Sequence, residues 1–177
     1  MPLWRREGFV EDRWTFLGDE ALLPEEGAVV VSLKRWLGER ETLLSRAGPV
    51  GVAVAAGADA QAHLPDLAGR PLIALAFDKF ADGRSFSYAR ILRDRLRFEG
   101  ELRAIGDVLI DEIPLMLRCG FDSFEVVNAP TVHALQAGRL PGSPLHYQPS
   151  SAHDETHEGT RPWLRVTRPT RDWAWRR

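Results

Sequence analysis

The run Pro71-Leu72-Ile73-Ala74-Leu75-Ala76-Phe77 constrains this chain more than any other stretch, because no position in it carries a polar side chain. A strand with one wet face alternates apolar and polar residues. A run that is apolar throughout needs cover on both faces, the condition of a strand inside a parallel sheet. Val50 to Ala55 (VGVAVA) and the β-branched run Ala28 to Val31 have the same character. Helical spacing follows the strands: Leu33, Trp36 and Leu37 after the first, and Phe86, Ala89, Leu92 and Leu96 on one face of a helix over 85–97. A short helix over 60–67, broken by Pro65, separates the other two. Leu102 to Ile105 and Ser123 to Val127 read as further strands. Helices are expected over 107–118, capped by Asp107 and kinked at Asp111–Pro114, and over 130–137, opened by Pro130. Strand–helix alternation with short links implies right-handed parallel crossovers. The fold class is therefore α/β, a mostly parallel sheet of βα repeats. Doubly wound and partial βα-barrel arrangements both fit.

The expected organisation is a single domain over 28–148, after a hairpin or irregular lead-in over 1–27 and before a flexible tail over 149–177. That tail interleaves Arg161, Arg165, Arg168 and Arg171 with Trp163, Trp173 and Trp175, a composition suited to docking on an acidic partner. The formal net charge of −2 supplies no basic field for nucleic acid. Cys119 is the only cysteine, so neither a disulfide framework nor a four-thiolate cluster can form within the chain. The N-terminal stretch has no apolar signal core, and no run approaches the ~20 residues of a membrane span. Cytoplasmic residence is the expectation.

Ligands of parallel α/β sheets bind beyond the carboxyl ends of the strands. The turns expected there carry Asp82, Gly83, Arg84 and Ser85 (with Asp78 just before them) and Asp107. Glycine for close approach, a cationic fork and helix N–H groups make this anion-binding equipment. The competing reading is a plain helix cap, with Arg84 paired to a nearby acid. Arg103 interrupts an apolar strand. If that strand is central, the charge needs a carboxylate, with Asp78, Asp82, Asp107 and Glu125 as candidates. The six candidate anion-binding residues are thus Asp82, Gly83, Arg84, Ser85, Arg103 and Asp107. No catalytic residue is assigned. His153 and His157 have H-x-x-x-H spacing in a segment that does not read as helical, so no metal site is assigned. Cys119 reads as a buried structural thiol rather than a nucleophile. No G-x-S-x-G, Walker A or G-x-G-x-x-G occurs, and no cofactor is evident.

The string FADGRSFSYARILRDRLRFEGELRAIGDVLIDEI, continued by LRCGFDSFEV, resembles the core of a bacterial family of unknown function. Members are often labelled as an oxidoreductase associated with sulfite reduction. Phe80, Asp82 to Arg84, Ser87, Ala89, Arg90, Leu92, Arg93, Gly100 to Ala104, Gly106 to Leu109, Asp111 and Arg118 to Asp122 carry the resemblance. It implies a small cytoplasmic protein whose gene neighbours assimilatory sulfite reductase. The first expectation is an accessory protein of sulfate assimilation and cysteine biosynthesis, contacting the reductase or its electron donor. The alternatives are a protein binding a small oxyanion or phospho-metabolite through Asp82-Gly83-Arg84-Ser85, and a flavin- or nicotinamide-dependent oxidoreductase. Asp78 and Pro114 depart from the family pattern.

Overall fold

The computed structural model describes residues 1–57, 59–78, 82–142, 145–146, 151, 155–157 and 165–167. Eight strands form one sheet: β1 (Leu3–Arg5), β2 (Gly8–Val10), β3 (Trp14–Phe16), β4 (Ala28–Ser32), β5 (Val50–Val54), β6 (Leu72–Phe77), β7 (Glu101–Gly106) and β8 (Ser123–Glu125). Their spatial order is β2-β1-β8-β7-β6-β5-β4-β3. From β3 to β8 each strand lies parallel to its successor in the chain, whereas β1 runs antiparallel to both β8 and β2. A doubly wound sheet reverses its strand order at a switch point. This sheet advances one way without reversal, so it is the barrel-like alternative, a curled half-barrel with alternating helices.

The curl has a covalent cause. β2 and β3 are the two edges of the sheet, yet only residues 11–13 separate them. The Cα steps from Val10 to Trp14 reach about 15 Å. Crossing a flat sheet of this width would need about 34 Å. The sheet must therefore bend until its edges approach. Residues 8–16 act as one extended segment whose first half pairs with β1 and whose second half pairs with β4. The lead-in thus contributes a hairpin and a third strand to the sheet.

Right-handed crossovers that always advance put the helices on one face. They are α1 (Leu33–Gly38), α2 (Arg40–Ser45), α3 (Ala60–Leu67), α4 (Arg84–Arg90), α5 (Ile113–Arg118) and α6 (Ala129–Gln136). Strand residues of one parity, Val29, Val31, Val52, Val54, Ile73 and Leu75, share the main core with Trp36, Leu64, Leu67, Tyr88 and Leu92 from the helices. The opposite parity gives a smaller inner core of Trp14, Val30, Leu72 and Ala74. Every residue of β6 is buried. Leu72, Ile73, Leu75 and Phe77 each contribute roughly 1.5–3 kcal/mol from that burial.

Three helix expectations change. The helix expected from Asp107 begins only at Ile113, which puts Pro114 in its first turn, where a missing N–H costs nothing. The kink is avoided by starting late. The helix after β6 runs as α-helix to Arg90 and then widens into a π-turn over Ile91–Arg95. Pro65 sits inside α3 without breaking it. The bond it forfeits would have gone to the carbonyl of Gln61, an exposed residue open to water.

β9 (Leu145–His146), at the end of the expected domain, forms a separate antiparallel sheet with β10 (Glu155–His157) and β11 (Arg165–Thr167). His157 is in a strand, and His153 lies outside the described residues, as do Arg161, Trp163, Arg168, Arg171, Trp173 and Trp175.

Candidate functional site

β6 and β7 pair in parallel register from Leu72↔Glu101 to Phe77↔Gly106, so the turns that follow them open on the same rim. Gly106 has φ +92°, and a Cβ there would sit 2.8 Å from the Phe77 carbonyl oxygen. Glycine lets β7 end in close contact with its neighbour, and the Asp107 N–H donates to that same oxygen at 2.8 Å. On the adjacent turn, Asp82 accepts from the Arg84 backbone N–H at 3.2 Å and from its guanidinium, with Nη2 to Oδ2 at 2.6 Å. Asp82 therefore caps the turn and holds the arginine. Ser85 is fully buried and donates to the Ala76 carbonyl at 2.6 Å, pinning α4 to β6. A Cβ on Gly83 would meet nothing within 4 Å, so crowding does not require glycine there.

The candidates thus divide. Asp82, Gly83, Arg84, Ser85 and Asp107 share the rim, with Ser85 turned inward and Arg84 held by Asp82. Arg103 stands apart. It pairs with Ala74 in mid-sheet, about 13 Å of strand before Asp107. β7 is central, and Arg103 is fully buried. Its partners differ from those anticipated. Nη1 and Nη2 donate to Asp12 at 2.7 and 3.1 Å, and Nε and Nη2 donate to Glu101 Oε1 at 3.1 and 2.8 Å. Glu101 also accepts from Ser123 Oγ at 2.6 Å and from Arg5 at 2.7 Å. Burial alone would push the Glu101 carboxyl up. Hydrogen bonds from Ser123 and Arg103, with the charges of Arg103 and Arg5, outweigh it and hold the group below its ordinary range. Asp12 belongs to the joint between the sheet edges, so this bridge crosses the inside of the curl and fastens that joint to the opposite wall. Glu101 was legible as the residue two before Arg103 on the same strand face. Asp12, distant in sequence, left no such signal.

Several residues of the recognised motifs form a second scaffold element. Arg93, carried on the π-turn, donates to the carbonyls of Phe98, Gly100 and Gly120 and to the Asp122 carboxylate. Asp122 also accepts from the Leu102 N–H at 2.7 Å. A side chain on Gly100 would sit 2.6 Å from the Arg70 carbonyl, and one on Gly120, at φ +93°, would strike Arg93. These residues tie α4 to the entrances of β7 and β8.

Among the described residues, the ionisable side chains of the rim that lack a partner are acidic. Asp78 and Asp107 are exposed and, among the described residues, have no hydrogen bond or ion pair through their carboxylates. Burial first, then the charges of Asp111 and Asp107, pushes the Glu112 carboxyl up, so Asp107, Asp111 and Glu112 share one negative field. Cys119 is buried, and that burial pushes its thiol up, away from a reactive thiolate. Among the described residues no group of three His, Cys, Asp or Glu side chains could hold a metal ion. None of their helices is long and apolar enough to cross a membrane.

A singly wound, curled βα sheet with a buried Arg–carboxylate bridge and an acidic rim defines a small half-barrel protein. The chain belongs to the family described as "Bacterial protein of unknown function (DUF934)", whose model matches residues 51–157. That span runs from β5 through β10 and includes the rim, Arg93 and Arg103. No curated protein and no solved structure matches the chain.

Proposed function

We infer that this protein acts by docking on another protein, as a cytoplasmic accessory of assimilatory sulfite reduction that contacts the reductase or its electron donor. The pathway comes from the family resemblance in the DGR, GELRA and RCGFD segments. The mode of action rests on the described part of the rim: Arg84 is already held by Asp82, while the Asp78 and Asp107 carboxylates have no partner among the described residues. Unpaired carboxylates on a strand-end surface favour a basic partner and steer its approach. The test is capture of sulfite reductase, or of its electron donor, by the tagged protein at low salt. Capture should fall in ~0.5 M salt, where screening is strong, and with D78K/D107K. Failure to capture either protein, or equal capture by the charge-reversed variant, rejects the reading.

A second reading has one observation in its favour. The Arg84 side chain is 51% exposed, so a small oxyanion or phosphate ester can compete with Asp82 for it. Calorimetric titration with sulfite, sulfate and phosphate esters tests this, and the absence of heat with all of them removes it.

A further inference from the structure

At the end of the sheet opposite the acidic rim, the entrances of β7 and β8 border an opening of about 830 Å³. Four arginines line it, together with four carboxylates. Arg5 is committed to Glu101 and Arg93 to Asp122. Arg6 is engaged as well. Three charged lining groups remain: Arg13, Glu7 and Glu99, each exposed and, among the described residues, without a hydrogen bond or ion pair through its side chain.

We propose that this opening binds a small zwitterion with an α-amino-acid head, its carboxylate on Arg13 and its ammonium on Glu7 or Glu99. Ligand chemistry follows from what the wall leaves unmatched. A simple anion satisfies Arg13 but meets two free carboxylates, and a simple cation meets the reverse mismatch. A molecule carrying both charges answers both, and a guanidinium takes a carboxylate in a bidentate grip. The volume exceeds what a head group fills and leaves room for a side chain beside Leu117 and Phe121, which close the apolar part of the wall. This site is independent of the rim and of any docking partner there.

The test is isothermal titration of the full chain with each of the common L-amino acids at low ionic strength, with acetate and methylamine as single-charge controls. Saturable heat is expected from one or more amino acids and from neither control. Arg13→Ala and the double variant Glu7→Gln/Glu99→Gln should each weaken binding by about tenfold or more. These side chains are exposed and unpaired, so the variants should keep the wild-type circular dichroism. Absence of saturable heat from every amino acid overturns the proposal. So does acetate or methylamine binding as tightly as the amino acids, or unchanged affinity in both variants.

Discussion

Replacing Arg103 by methionine tests the central physical claim about this fold. The side chain is fully buried and makes four hydrogen bonds, two to Asp12 and two to Glu101. Methionine keeps much of the volume and removes the charge. Two carboxylates then lose their main counter-charge. Removing one partner of a fully buried pair costs about 3–5 kcal/mol. Here the Asp12 and Glu101 side chains keep 19% and 11% exposure. Asp12 also retains the Trp14 N–H, and Glu101 retains Arg5 and Ser123. Those residual donors set the expectation at the lower end, about 3 kcal/mol, or a fall in Tm of about 6–12 °C for a chain of this size. Urea and thermal melts followed by circular dichroism measure it. Asp12→Asn in the Arg103→Met background should then cost far less than it does alone, because the two residues act as a unit. An Arg103→Met protein as stable as wild type, or strictly additive costs for the two changes, refutes the bridge.

Glu101 makes a pH prediction. Its folded pKa lies below the ordinary value of 4.5, so its contribution is complete above that value and is lost as pH falls through the lower folded one. Wild type should lose stability below about pH 4.5 more steeply than Glu101→Gln, and parallel profiles in acid urea melts would contradict this. Arg93→Lys keeps the charge but not the fork that reaches three carbonyls and Asp122. A loss of about 2–3 kcal/mol is expected in urea, and a neutral effect would show that the clamp is incidental. Gly106→Ala combines a positive φ with a contact at 2.8 Å. It should cost about 1–3 kcal/mol, read by thermal melting, and an unchanged melting temperature would show that the β7 terminus can relax. Cys119 should react with a disulfide reagent at pH 8 far more slowly in the native protein than in urea, and equal rates would contradict its burial.

The sequence announced the strands whose residues are apolar at every position. β4, β5 and β6 are covered on both faces, and cover is what a continuous apolar run records. The edges were harder to see. β1, β2 and β3 are three-residue strands, LWR, GFV and WTF, too short to show a period, and the pairings of β1 with β8 and of β3 with β4 join segments that no local pattern links. Open sheet and barrel therefore could not be told apart, since the deciding fact is that consecutive strands occupy opposite edges. The helix placed at Asp107 followed apolar spacing and discounted Pro114, and the proline set the true start. At the rim, the residue types of an anion site were legible. What those residues hold was not: Ser85 spends its hydroxyl on Ala76, and Arg84 its fork on Asp82.

The pairing of Leu3 with Glu125 governs the order in which this molecule can assemble. A chain emerging from the ribosome presents its first strand long before that strand's neighbour exists. The successive βα units can coalesce as they appear, but the opening hairpin must wait until β8 has been released. The domain is thus sealed by its beginning, and a nascent chain stopped before Ser123 would carry an orphaned hairpin and an exposed β7 edge, the kind of surface on which chaperones and neighbouring chains compete.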